Sequence, residues 1–296
     1  MCARHAVAEW IIRESGMARA TPGTTRLKLT AAYIGLALIA MQALFPILWM
    51  ISNSFKTTSE FYNNIWGAPR ALEISNYLAA WTEGKIGLFL GNSLLVIFIG
   101  MAVLLICSCL AAYALARLEF PGRDVVFWVI LATMMVPPDV LVIPLFLVIR
   151  ELGILNTRYA LSLIYAAGGL GVSVFLLRGY FMAIPKELES AAVIDGANRI
   201  QVFWKIILPL SRPGLVTVII LQAMGMWNDL YLAFVFIRRE EMATVPLGLL
   251  GFFQQHTVIW PKFFAGLTLV TVPILIIYVL GQKQFVRGMT ATGIKG

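Results

Sequence analysis

Residues 92–115 read Asn92-Ser-Leu-Leu-Val-Ile-Phe-Ile-Gly-Met-Ala-Val-Leu-Leu-Ile-Cys-Ser-Cys-Leu-Ala-Ala-Tyr-Ala-Leu115, an uninterrupted apolar run. A helix of about 20 such residues crosses the hydrocarbon core of a bilayer. The run is continuous and does not alternate every second residue, which separates it from a membrane β-strand. Five more stretches of this kind can be drawn: about Leu29–Ile51, Val125–Ile149, Ala160–Met182, Pro213–Ile237 and Phe264–Leu280. The whole chain agrees with this reading. Of its 296 residues 60% are hydrophobic and 13% charged, with a mean hydropathy of +0.84, whereas soluble domains carry about 25% charged residues. A soluble enzyme and a disordered protein are excluded. The expected fold is an all-α integral membrane protein, a six-span helical bundle. It divides into an N-terminal tail (1–28), a membrane domain (29–285) and a C-terminal tail (286–296).

The net charge of +8 is mostly a topology signal. With both termini on one side, that side holds 15 basic residues, among them Arg4, Arg13, Arg117, Arg123, Arg178, Lys186, Arg199, Lys205, Arg212 and Lys283, and the other side holds 8. The positive-inside rule then sets both termini in the cytoplasm, and nucleic acid drops out as a partner. The tail has no continuous apolar centre and is not a secretory signal. Its run Val7–Ile12 carries Trp10, Ile11 and Ile12, which suit a membrane surface, and Met17 is a second candidate start. Three cysteines with no C-x-x-C spacing read as reduced structural thiols. The two histidines, His5 and His256, lie far apart in sequence, so no catalytic set and no metal site is expected.

Three features within this frame call for explanation. Pro137, Pro138 and Pro144 remove backbone donors from the third span, which must kink or unwind there. Asp139 and Asp229 fall past the middle of the third and fifth spans, where a carboxylate needs water or a partner. Beside Asp229 stand Trp227, Asn228 and Tyr231, a stacking face and hydrogen-bonding groups that suit a sugar. Pairing of each acid inside the bundle, or a position already at the outer headgroups, is the competing reading. The third feature is the loop at 183–212, which reads as two short helices about a bend. Pro185 starts the first, with Glu187 and Glu189 near its positive end. Ala191 and Ala192 continue it without bulk, and Gly196 after Asp195 ends it in the left-handed region. A second amphipathic stretch sets Ile200, Phe203, Trp204 and Ile207 on one side. Such a loop fits either a groove on a partner or the membrane surface.

Ser190-Ala-Ala-Val-Ile-Asp-Gly-Ala197, followed by Phe203, Ile207, Leu208 and Pro209, closely resembles the cytoplasmic EAA loop of bacterial ATP-binding-cassette importer permeases. The best match is to the six-span, maltose-type sugar branch. Tyr113-Ala-Leu-Ala-Arg-Leu-Glu-Phe-Pro-Gly-Arg123, Trp227-Asn-Asp229 and Phe285-Val-Arg-Gly-Met-Thr-Ala-Thr-Gly-Ile-Lys-Gly296 extend the resemblance over most of the chain. The glutamate that names the motif falls at Ser190, with Glu189 adjacent. The resemblance implies a permease of the bacterial inner membrane that forms half of a path for a sugar or polyol. It implies coupling to an ATPase subunit through Glu189, Ser190, Ala191, Ala192, Asp195, Gly196 and Ala197. The implied partners are a second homologous permease chain, two ATPase subunits, an extracytoplasmic solute-binding protein and membrane lipid. ATP is used by the partner and no cofactor by this chain, which has no G-x-x-x-x-G-K-[ST] phosphate loop. A secondary transporter of a small polar solute is the alternative; it would share the broken spans and buried acids but has no need of such a loop.

Overall fold

The computed structural model describes residues 22–254 and 258–293, with side chains from 29 to 252 and from 258 to 276. The run Val7–Ile12, His5, His256 and Lys295 lie outside the described residues. Every described element is helical. In chain order they are α1 (Pro22–Ser54), α2 (Thr58–Asn63), α3 (Ser75–Thr82), α4 (Ile86–Arg117), α5 (Arg123–Thr133), α6 (Pro138–Glu151) and α7 (Arg158–Met182). There follow α8 (Lys186–Ile194), α9 (Arg199–Val202, continued by a π-helical turn Phe203–Ile207 and by Leu208–Leu210), α10 (Arg212–Asn228), α11 (Tyr231–Phe236), α12 (Val245–Gln254) and α13 (Trp260–Gly293). Neither expected tail boundary is marked by a helix end, since α1 begins at Pro22 and α13 runs on to Gly293.

Three helices are long and apolar enough to cross a membrane alone: Leu29–Ser54 of α1, α4 and α7. Two further candidates are bent pairs, α5 with α6 at 100° and α9 with α10 at 72°. The described part of α13, Trp260–Ile276, is a shorter apolar helix. The chain is thus an all-helical membrane protein with three to five candidate spans among the described residues. The third apolar stretch is not the one straight crossing that its hydropathy suggests. Pro137 is extended (φ −59°, ψ 130°) and Pro138 opens α6, so two missing donors and the pre-proline restriction on Pro137 stop α5 and turn the chain. Pro144 sits inside α6 without ending it. The fifth stretch also divides, because α10 stops at Asn228 and α11 restarts at Tyr231.

The bundle is centred on α4 and α7, which pack along their length. Small residues allow the approach: a Cβ on Gly100 would stand 3.0 Å from the Ser162 carbonyl, and the Ser162 hydroxyl donates to the Val96 carbonyl at 3.1 Å. Without a hydrophobic drive between helices in lipid, such close backbone contact and interhelical hydrogen bonds hold spans together. Three buried clusters are stacked along this pair. Tyr113, Leu177, Phe181, Phe203 and Ile207 form one at the end bearing α8, Leu104, Tyr165 and Met226 one in the middle, and Ile86, Phe89, Trp227 and Val245 one at the opposite end. α1 lies at the edge against α13, and Tyr33, Leu36, Ile39 and Leu48 on it are exposed. An apolar helix with that much bare surface is matched to lipid or to another protein.

Candidate functional site

The end of α4 organises the loop that the sequence marks out. Arg117 closes α4, in the last turn where a cation suits the helix dipole. Its side chain folds inward and is only 4% exposed. Through Nη2 it donates to the carbonyls of Phe181 and Ile184, the last turn of α7 and the residues just after it. Its Nε lies 2.9 Å from Glu189 Oε1 on α8. One guanidinium therefore joins α4, the end of α7 and α8. Glu189, adjacent to the motif position at Ser190, is the carboxylate that faces inward, while the Ser190 hydroxyl only caps back to Lys186 at 3.2 Å.

α8 starts and stops for local reasons. Pro185 is its N-cap, extended at ψ 134°, and Glu187 and Glu189 fall in its first turn. At the other end Gly196 has φ +86°. Its N–H bonds the Val193 carbonyl at 3.0 Å, and the Ala197 N–H reaches the Ala192 carbonyl at 2.9 Å, the two bonds of a Schellman stop. Any side chain at Gly196 would be strained in that backbone region. Ala192 and Ala197 turn inward onto the cluster around Phe181 and Phe203, so a bulky residue at Ala192 would first strike this chain's own bundle. Ala191, Asp195 and Ser190 face outward.

The second arm is held by the same helix end. Asn198 and Gln201 cap α9 reciprocally, each side chain accepting the other's N–H at 2.9 Å. The Tyr113 hydroxyl reaches the Arg199 carbonyl at 3.3 Å, and its ring lies 4.9 Å from that of Phe203. The predicted single apolar side divides here. Val202, Phe203 and Ile207 are buried, whereas Ile200, in the α-helical turn, and Trp204, in the π-turn at 203–207, are exposed. On the outward surface of the loop stand Leu188, Val193, Ile194 (85% exposed), Ile200 and Leu210. No residue of α8 is buried.

The residues singled out for a translocation path are not gathered in one place. Asp139 is exposed in the first turn of α6, just past the proline elbow. Trp227 is 5% exposed and packs with Ala243 and Val245, which leaves it no free stacking face. The Asn228 amide points back to the Met224 carbonyl at 2.8 Å, and Tyr231 is exposed. Asp229 sits at the break between α10 and α11, where Oδ2 accepts the Tyr165 hydroxyl at 2.7 Å and the Ala233 N–H at 3.1 Å. The pairing reading of this acid thus matches its geometry. Sequence reasoning gave no role to Tyr165, which nothing in its apolar context signals, nor to Arg117 beyond its charge, although Arg117 is the charge that ends the run opened at Asn92.

A second polar cluster lies at the opposite end of the α4–α7 pair. The Asn92 amide donates to the carbonyls of Glu241 (2.8 Å) and Ala243 (2.9 Å), and its oxygen accepts from Arg158 at 2.9 Å. Ser93 accepts the Val245 N–H at 2.8 Å. Asn156, with φ +62°, accepts the N–H groups of Arg238 and Arg239 at 2.8 and 3.0 Å. Near the end of α1, Lys56 is fully buried and donates to Asn53 Oδ1 (2.9 Å) and to the Asn64 carbonyl (2.6 Å). Burial pushes its ammonium below the usual lysine range, and the nearby Glu60 carboxylate opposes that shift.

Comparison with known proteins bears on this arrangement. The family described as "Binding-protein-dependent transport system inner membrane component" matches residues 105–291. The chain is 37% identical to the probable ABC transporter permease protein YurM of Bacillus subtilis, over 90% of this chain and 89% of that one. It is 36% identical to the sulfoquinovosyl glycerol transport system permease protein SmoH of Agrobacterium fabrum, over 89% and 93%. It is 34% identical to the arabinooligosaccharides transport system permease protein AraQ of Halalkalibacterium halodurans, over 89% and 95%. Among solved structures, a bacterial ABC transporter involved in the import of the acidic polysaccharide alginate matches with a TM-score of 0.79. The identity there is 26%, and the match covers 88% of this chain and 98% of that one.

Proposed function

From the premise that this chain belongs to the binding-protein-dependent transport system inner membrane components, we propose that α8 is the surface on which its ATPase docks. The chain is the multi-pass inner-membrane permease subunit of a carbohydrate ABC importer, and it does not itself hydrolyse ATP. ATP is hydrolysed by an ATPase partner, and a solute-binding protein delivers the cargo. The proposal adds that the full assembly has a second homologous permease and two ATPase subunits. It adds that six crossings place both termini and the 183–212 loop in the cytoplasm, as the basic residues indicate.

The observation that carries the docking surface is α8 itself: a helix with no buried residue, whose Leu188, Val193 and Ile194 are all turned to the outside. Exposed apolar side chains next to a polar loop mark a protein contact. Asp195, a carboxylate at a helix C-terminus where the dipole disfavours it, is supplied with a reason by a cation on the partner. Substitution of Ile194 by Asp tests this. Tagged Ile194→Asp permease is expected in the membrane at wild-type level but without the co-purifying ATPase; full retention of the ATPase overturns the assignment.

For the path, the proposal narrows. The breaks at Met134–Pro137 and at Asp229–Leu230 lie along the translocation path, with Asp139, Asn228 and Tyr231 facing it at separate points and Asp229 and Trp227 holding the second break in shape. Unpaired backbone groups at such breaks require protein or water. The cargo is a mono- or oligosaccharide or a related polyol. An anionic sugar stays within this class, since the similar solved transporter is involved in the import of the acidic polysaccharide alginate. Unchanged uptake in a Tyr231→Ala, Asn228→Ala double variant would remove both residues from the path.

A further inference from the structure

We propose that Arg117 is the positioning residue that makes α8 and the α4–α7 pair a single rigid lever. The inference rests on α8 being the ATPase seat and goes beyond it, because docking alone does not say how a push on α8 reaches the spans. α8 touches its own bundle through little else. Ala192 and the following Ala197 rest on the apolar cluster, and apolar contact is non-directional and lets surfaces slide. Glu189 adds what those contacts lack, a charge held against a fixed opposite charge: its Oε1 lies 2.9 Å from Arg117 Nε, an ion pair without a hydrogen bond between the two atoms. Its partner guanidinium is almost wholly buried and cannot follow a departing carboxylate, since Nη2 is committed to the carbonyls of Phe181 and Ile184. Sliding α8 away would leave a buried cation without its anion, which costs far more than losing a surface pair. Movement of α8 therefore carries the ends of α4 and α7 with it. Tyr113, one turn earlier on α4, ties the second arm to the same helix end.

A competing account is that Glu189 merely complements the positive end of α8, as Glu187 does. Any carboxylate in that first turn would then serve. Double electron–electron resonance separates the two. In a chain with its three cysteines replaced by alanine, spin labels are placed at Glu187→Cys on α8 and Leu94→Cys on α4. These sites are roughly 35 Å apart along the bundle at 1.5 Å per residue. The measurement is made on the permease co-purified with its ATPase, without nucleotide and with magnesium and a non-hydrolysable ATP analogue.

The rigid lever predicts one narrow distance that is the same in both states. Glu189→Ala should broaden it, as should the Glu189→Ala, Ser190→Glu double variant, which returns a carboxylate to the first turn on another face. Glu189→Gln, which keeps the shape of the side chain, should broaden it less than alanine does. A wild-type distance that shifts by several ångströms on nucleotide binding overturns the proposal. So does a narrow wild-type-like distance in Glu189→Ala, or its restoration by Ser190→Glu. Failure of the wild-type permease to bring down any ATPase counts against the docking reading instead, and the nucleotide-free comparison of wild type with Glu189→Ala still decides the lever.

Discussion

The two ends of the α4–α7 pair are fastened by different chemistry. At one end, neutral side chains read backbone: Asn92 and Asn156 hold the 237–245 segment through amide hydrogen bonds, Ser93 adds another, and the ion pair there, Lys85–Glu240, is exposed to solvent. At the other, a buried guanidinium holds a carboxylate on an otherwise unburied helix. Amide bonds to backbone fix a segment in place and satisfy groups that would be costly to bury alone. A single buried ion pair concentrates the same work in one contact, so that its loss frees a whole helix. The contrast teaches that one end is built as a fixed cap and the other as a lever.

The largest break in this contrast comes from Arg117→Ala. It strands Glu189 and two carbonyls, which should cost about 3–5 kcal/mol. The expected outcome is a large fall in the thermal midpoint of the detergent-solubilised permease, together with loss of transport. Asn92→Ala at the fixed cap removes two bonds to backbone and the acceptor of Arg158, at about 2 kcal/mol. Its thermal midpoint should fall less, and the co-purifying ATPase should stay at wild-type stoichiometry. If Asn92→Ala sheds the ATPase, the two ends are not separate devices.

Gly196→Val is next. A β-branched residue at φ +86° costs about 1–2 kcal/mol of local strain and re-aims the loop after α8. Pull-down should lose much of the ATPase while thermal stability changes little, and full uptake in this variant would contradict the account. The smallest effect belongs to the break at Asp229. Asp229→Ala, which removes the acceptor, and Tyr165→Phe, which removes the donor, should each cost about 1 kcal/mol or more and be non-additive, because both remove the Tyr165–Asp229 hydrogen bond. A double-mutant cycle with zero coupling would show that the 2.7 Å contact contributes nothing.

Much of this architecture is legible in the amino-acid sequence. The runs that open at Leu29 and Asn92 and the one ending at Met182 became α1, α4 and α7 because unbroken apolar length is a sufficient signal for a spanning helix. Pro185 and Gly196 announced the limits of α8 through backbone chemistry alone. The 100° elbow between α5 and α6 was legible as a break but not as an angle, since proline removes a donor without saying where the chain goes next. The fates of Trp227 and Asp229 were not legible. Their neighbours in sequence suggest a sugar site, but their neighbours in space, Val245 and Tyr165, come from elements far along the chain. The register around Trp204 was hidden for a related reason: a π-turn adds a residue to the helical repeat and no residue type in 203–207 declares it.

Hydrogen–deuterium exchange of the permease with and without its ATPase addresses the lever and the cap together. The account predicts that assembly slows exchange in peptides covering 186–204 and leaves those covering 237–245 unchanged. Protection of 237–245 with none at 186–204 would contradict it.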